Sequence, residues 1–290
     1  MGLSLKGAFL EEGTEQMFTV EKRKKVIGGT RGLNFDNKIH QYTMNGVVLL
    51  SATSIISRFT KPFEAVSISR FVAAKNKKAD KKYMNNDVKV RRYWKVKGER
   101  ASALGTSGHA FCEMQWLNPE DAVPIHEVER NAKKLMDKLK ANFYIMNMEV
   151  NRGNDKYKIG YTIDIELQSK KTGDYILGDF KFSGNFTAGQ YKKSKGRQAN
   201  YMSAPFRDLG YRVVPEDKGY IQLNMYKRFF EIDTGIKVAK SLLFHIDGLG
   251  SENYYGDAGY KVYVVPDLTE QVDVILKPHE NIKYDILKKL

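Results

Sequence analysis

The sequence predicts an α/β protein in which helices flank one mixed β-sheet. Two observations carry that expectation. Hydrophobic periodicity runs in the order hairpin, helices, strand meander, helix and further strands. Hydrophobic residues make up 42% and aromatics 12% of 290 residues, enough to bury a large core. No internal repeat or low-complexity tract interrupts the pattern, so a single domain over 1–290 is expected.

Residues 1–35 are weakly patterned, with a basic run at Lys22-Arg23-Lys24-Lys25. In Tyr42-Thr43-Met44-Asn45-Gly46-Val47-Val48-Leu49 an Asn-Gly pair sits between β-formers, a hairpin signal. Ser51 is placed to cap a short helix through Ile55, Ile56 and Phe59 that Pro62 stops. A further helix is expected over 64–76. Residues 36–105 thus form an N-terminal hairpin and a helical basic region.

The catalytic core is expected over 106–265. It begins with a helix at 106–117 carrying His109 and Glu113, then one at 126–146 with Val128, Ala132, Leu135, Leu139 and Phe143 on one apolar face. Strands follow near 147–152, 158–167 and 175–182, the last two joined by Lys171-Thr172-Gly173-Asp174. Segment 184–216 reads as irregular, basic and aromatic. A helix is expected over 218–233 and strands near 237–246 and 259–265, and the tail 266–290 carries a terminal helix near 278–288.

Composition excludes several classes. One cysteine, Cys112, rules out a disulfide framework, a cysteine zinc site and a four-cysteine iron–sulfur cluster. No apolar run is long enough for a membrane span, and no signal peptide is recognisable, so a cytoplasmic protein is the expectation. Forty-eight Lys and Arg against 34 Asp and Glu leave a net charge of +14, which favours a polyanionic partner. Residues 75–100 concentrate eleven of those cations among Tyr83, Tyr93 and Trp94. Cations interleaved with rings suit single-stranded nucleic acid, and a solvated charged face fits the same residues.

The chemistry is concentrated in the meander. Side chains alternate along a strand, so in Gly178-Asp179-Phe180-Lys181 the aspartate and the lysine share a face. Asp164, in Ile163-Asp164-Ile165-Glu166, can lie beside them on the neighbouring strand. Two buried carboxylates repel, and a hard divalent cation such as Mg²⁺ resolves that repulsion. With a lysine to stabilise developing charge, this is equipment for hydrolysing a phosphodiester. Asp-x-Lys alone fits an edge salt bridge as well. Two helical pairs at i, i+4 add to it: His109 with Glu113, and Gln222 with Tyr226.

The ordered set Gly105-Thr106-x-x-His109-x-x-x-Glu113, Asp164, Asp179-x-Lys181 and Gln222-x-x-x-Tyr226 resembles the PD-(D/E)xK nuclease superfamily. Within it, the RecB-like exonuclease branch is the most similar. That branch includes the mitochondrial genome maintenance exonuclease and phage and large-virus nucleases. Tyr220-Ile221-Gln222-Leu223-Asn224-Met225-Tyr226-Lys227 and Leu50-Ser51-Ala52-Thr53-Ser54-Ile55-Ile56 share the likeness, which spans about 40–265. The resemblance implies a restriction-endonuclease-like core with an N-terminal helical elaboration. It implies metal ligation by His109, Asp164, Asp179 and the Phe180 carbonyl, with Lys181 catalytic and Gln222 and Tyr226 supporting the lysine or the substrate phosphate. Glu113 and Glu149 fall to the metal's outer shell, and Mg²⁺, with Mn²⁺ as substitute, is the expected cofactor.

Two departures stand out. Gly160 precedes Asp164 by four residues where the family has three, which leaves Glu166 as a fallback ligand. Forty residues separate Lys181 from Gln222, so an insertion there builds substrate contacts. The expected nucleic-acid contacts are Arg91, Arg92, Trp94 and Lys95, with Lys192, Lys193 and Arg197 from the insertion. The expectation is therefore a Mg²⁺-dependent, end-dependent deoxyribonuclease preferring single-stranded DNA, serving phage, viral or bacterial replication, recombination or repair. A structure-specific endonuclease on the same fold, and a non-catalytic DNA-binding accessory protein, are the alternatives.

Overall fold

The Asn45-Gly46 turn forms as its chemistry requires. Both residues take positive φ, 52° and 80°, the pair a tight hairpin turn needs. The computed structural model describes residues 29–36, 38–78, 85–196, 198–247 and 254–279. Strands β1 (Leu33–Asp36), β2 (Gln41–Met44) and β3 (Val47–Ser51) make an antiparallel meander. The first of these strands lies partly in a stretch that reads as weakly patterned, because β1 is an edge strand of only four residues. Ser51 caps α1 (Ala52–Ser57), its hydroxyl accepting from the Ser54 amide at 3.1 Å. Helix α2 follows at Ala65–Lys78.

Helix α3 corrects the expected boundaries. It runs unbroken over Asp87–Leu117, roughly 46 Å at 1.5 Å per residue, and crosses the 105/106 division drawn from sequence. Its first half is too charged to show an apolar period, yet Lys, Arg and Glu are good helix formers. Asn86 caps it, Oδ1 accepting from the amides of Val88 and Lys89. Helix α4 (Glu127–Asn142) buries Val128, Ala132, Leu135, Met136 and Leu139 as the periodicity demands. It ends four residues earlier than expected. Phe143-Tyr144-Ile145-Met146 begins strand β4 (Phe143–Asn154), because these β-formers pair with Leu167–Ser169.

Strands β5 (Ile159–Ser169) and β6 (Tyr175–Phe182) complete the meander. Within the segment read as irregular, α5 (Ala188–Lys195) forms on a Thr187–Gln190 capping box. Helix α6 (Pro215–Thr234) starts on a proline and stops at left-handed Gly235. It carries the chain to β7 (Val238–Ile246), parallel to β6, and β8 (Tyr260–Val264) then pairs antiparallel with β7. Helix α7 (Thr269–Leu276) precedes the expected terminal helix, most of which lies outside the described residues.

The result is an eight-stranded mixed sheet in the order β1-β2-β3-β5-β6-β7-β8, with β4 paired to β5. One apolar core lies between the sheet and α1, α6 and α7, and a second between the sheet and α3 and α4. The sheet carries a fork. β4 pairs along nearly the whole of β5. On the other edge, β3 pairs in parallel only at Ile159 and Gly160, and β6 antiparallel only at Ile165–Gln168. Residues 161–164 lie in the gap between β3 and β6, where a side chain can be aimed into a cleft.

Two close approaches hold the neighbouring helices. A Cβ on Gly108 would come within 2.5 Å of the Phe182 ring, and one on Gly219 within 2.8 Å of Leu243. Gly108 lets α3 sit directly on β6, and Gly219 does the same for α6 on β7. Gly108→Val should therefore destabilise the fold by about 1–3 kcal/mol through overpacking. Chemical denaturation measures it, and an unchanged midpoint would show that α3 can ride higher without cost.

Candidate metal centre

Asp164 and Asp179 meet at the fork. They stand one register step beyond the last β5–β6 pair, Ile165 and Gly178. Strand alternation turns Asp179 and Lys181 toward α6, and buries Phe180 in the α4-side core. Asp179 is 1% exposed and Asp164 is buried. Asp164 Oδ2 accepts the Phe180 amide at 2.7 Å, which ties the two strands where they splay.

On the α6 side, Lys181 Nζ lies 2.5 Å from Asp179 Oδ2. Gln222 bridges the pair, accepting from Lys181 at 3.3 Å and donating to Asp179 Oδ1 at 3.1 Å. Gln222 Nε2 also reaches the Tyr226 hydroxyl at 2.8 Å. The four residues expected to act around the lysine thus form one connected set. Its lysine contact is a charge contact without hydrogen-bond alignment, since Asp179 Oδ2 has no aligned donor despite its burial.

On the α3 side, His109 Nδ1 is 2.8 Å from Glu149 Oε1 and 3.7 Å from Asp164 Oδ2. One ligand atom from each of His109, Glu149 and Asp164 lies within 4.8 Å of the others. Glu149 is more intimate with this cluster than an outer-shell role implies. It stands opposite Asp164 in register, between the pairs Met148–Ile165 and Val150–Ile163, with φ of 50°. A non-glycine residue held in that region costs energy that sites tend to retain for function. No sequence signal separates Glu149 from any other strand glutamate, because its place opposite Asp164 is set by the pairing of β4 with β5. Glu113 lines the same cleft without joining the cluster.

Charge accounts for the protonation states. Burial and the Asp164 charge push Asp179 up to about 6 against the pull of Lys181. Burial raises Asp164 as well, with His109 opposing and Glu149 adding repulsion. Burial disfavours the His109 cation, but Asp164 and Glu149 outweigh it and raise the imidazole to about 9. Lys181 is held above its ordinary range by Asp179 and Asp164, against the burial that opposes its charge. Carboxylates pushed up by burial and mutual repulsion, and one buried carboxylate oxygen without an aligned donor, are what a divalent cation satisfies. The donor set, carboxylates with one imidazole, suits Mg²⁺ or Mn²⁺.

Glu166, the fallback ligand, points elsewhere. Its carboxylate accepts from Arg152 at 2.5 and 2.9 Å, from Asn147 at 2.9 Å and from Tyr175 at 2.6 Å. Gly160 faces the ring of Tyr42, where a Cβ would come within 2.3 Å, so its offset from Asp164 serves packing.

His109, Glu149, Asp164, Asp179 and Lys181 line a cleft of about 680 Å³, which Ala101, Ser102, Gly105 and Thr106 of α3 also enclose. Along the basic half of α3, Arg92 and Lys95 are exposed. Arg91 is held by Asp87 at 2.7 Å and Ser69 at 2.8 Å, and Trp94 stands edge-on to Phe63 at 5.3 Å. Lys192 and Lys193 are exposed on α5, while Arg197 lies outside the described residues.

His245 sits beside this machinery on β7, opposite Lys181 in register. Its Nε2 donates to the Ser183 carbonyl at 2.6 Å, its Nδ1 accepts from Tyr255 at 2.5 Å, and its ring stacks on Phe186. Burial pulls it down to about 4. An unfolded histidine takes up its proton near 6.5, so the stability of the neutral native ring is complete above that pH and is lost as pH falls toward 4. The loss is on the order of 3 kcal/mol. A His245→Asn variant lacks it, so the stability gap between parent and variant should narrow from pH 7 to pH 4. A constant gap in acid-denaturation series would contradict the assignment.

No family model matches the chain, and no curated protein matches it with significant similarity. Among the described residues, no helix is long and apolar enough to cross a membrane.

Proposed function

We propose that the protein is a metal-dependent deoxyribonuclease of the PD-(D/E)xK type that acts from DNA ends, as the RecB-like branch does, and prefers single strands. The observation that carries this reading is the convergence of Asp164, Asp179 and Lys181 at the sheet fork beneath His109 and Glu149. A purely binding protein has no use for buried, mutually repelling carboxylates. The +14 net charge and the exposed cations on α3 and α5 fit the same reading, since they favour a polyanionic partner.

Asp164, Glu149, His109 and Asp179 would hold the cation. When bound, a divalent cation polarises a phosphoryl oxygen and acidifies a water. The chain's own contribution is electrostatic and positional. Lys181 Nζ, kept cationic by the carboxylates, would stabilise the negative charge that grows on a phosphate bound there. Gln222 sets the lysine's position through its amide, and Tyr226 fixes that amide's orientation.

Digestion of an end-labelled linear single strand beside a closed single-stranded circle of equal length tests the reading. Mg²⁺ should support rapid loss of the linear strand with the circle intact, and excess chelator should abolish it. Full activity in chelator would refute the metal assignment. Equal loss of both substrates would favour the endonuclease alternative, and loss of neither the accessory-protein alternative.

A further inference from the structure

We infer that the rings of Phe35, His40 and Tyr42 form a stacking wall for one unpaired nucleobase beside the reacting phosphate, an assignment that rests on the nuclease reading. These three side chains come from the N-terminal meander, yet they line the same cleft as Asp164, Asp179 and Lys181. Phe35 stacks on Tyr42 with centroids 4.5 Å apart and planes 28° apart, and His40 stands edge-on to Phe35 at 5.1 Å. The array has a buried anchor and an open end. Tyr42 is 3% exposed, Phe35 is half-buried and His40 is exposed.

The anchor ties the wall to the catalytic strand. The Tyr42 hydroxyl shares a 2.7 Å hydrogen bond with Thr162, two residues before Asp164. Its ring occupies the space that a side chain on Gly160 would need. The rings therefore hold a fixed place relative to the carboxylates. His40 adopts φ of 52°, in the left-handed region that few non-glycine residues occupy. That conformation keeps its ring against Phe35 at the mouth of the cleft.

A strand whose phosphate lies at the carboxylates carries a base on each side within reach of the cleft walls. Aromatic rings beside a polar phosphate site are what single-strand binding requires, since any base offers a π-face. In a duplex both faces of every internal base are covered by its neighbours. Only an unpaired nucleotide, in a single strand or a frayed end, can use this wall.

The test reads binding and cleavage separately. A single-stranded oligodeoxyribonucleotide carries one abasic position, moved stepwise from its end, and its Kd is measured in excess chelator. The parent should lose about five-fold or more in affinity at one position. Phe35→Leu keeps the apolar contact of β1 without a π-face, and His40→Asn tolerates the left-handed backbone. Together they should abolish that position-specific loss, and Phe35→Trp should preserve it. A parent indifferent to every abasic position, or a double variant with the parental loss, would overturn the wall. Mg²⁺-dependent cleavage of the intact strand is scored in parallel. Cleavage absent while the abasic loss persists refutes the nuclease reading and supports the wall; cleavage present without the loss does the reverse.

Discussion

Lys181→Ala and Asp179→Asn should each lower the single-turnover rate of DNA hydrolysis by about two or more orders of magnitude, the usual consequence of removing a main electrostatic stabiliser. The two side chains touch at 2.5 Å, and Gln222 holds both. Loss of the lysine removes the cation and leaves Asp179, already raised to about 6, with less reason to ionise. Loss of the Asp179 charge removes a carboxylate from the proposed cation site. DNA affinity should survive either change, because on the proposed reading the exposed cations of α3 and α5 and the wall of rings would carry it. Asp179→Asn should bind at least as tightly as the parent, since one negative charge facing the phosphate is gone. Rapid-quench rates with saturating enzyme, together with Kd measured in chelator, separate the two quantities. A Lys181→Ala variant with near-parental rates would remove the lysine from the chemistry.

Glu166→Leu should be the most destabilising single change near the site, by about 3–5 kcal/mol, because it leaves a buried guanidinium unpaired. Arg152 is 5% exposed and directs both Nε and Nη2 at Glu166 Oε1, while its guanidinium lies 5.0 Å over the Phe230 ring. Asn147 and Tyr175 complete the carboxylate. At roughly 2–4 °C per kcal/mol for a chain of this size, the melting temperature should fall by roughly 10 °C. A double variant, Arg152→Met with Glu166→Leu, removes both charges together and should recover much of the loss. Activity per folded molecule should be close to parental in the double variant, since Glu166 faces away from the cleft. A large loss of activity with stability restored would return Glu166 to the ligand set.

What the sequence discloses and what it hides follow from the range of each signal. Local signals were legible. Asn45-Gly46 specifies its turn, Ser51 its cap, and the spacing of Val128, Ala132, Leu135 and Leu139 its helix. Alternation put Asp179 and Lys181 on one face, and the i, i+4 spacing put Gln222 beside Tyr226. The charged first half of α3 hid a continuous helix, because a solvated face has no apolar period to read. Short β1 and α7 carry too few residues to stand out. The deeper misses are tertiary. Glu149 enters the cluster through its cross-strand register with Asp164, and His40 joins the cleft through a turn and a ring contact. Neither has a partner at a fixed spacing along the chain. The roles of Gly108 and Gly160 likewise become visible only once Phe182 and Tyr42 are seen against them.

The fork between β3 and β6 is proposed as a divalent-cation site built from His109, Glu149, Asp164 and Asp179. Calorimetric titration with Mn²⁺ tests it directly, comparing the parent with a Glu149→Gln, Asp164→Asn double variant whose fold is verified by circular dichroism. The parent should bind Mn²⁺ saturably and release protons as the raised carboxylates ionise and the His109 imidazolium deprotonates to its neutral ligating form, and the double variant should lose that binding. Equal binding by both proteins, or none by the parent, would contradict it.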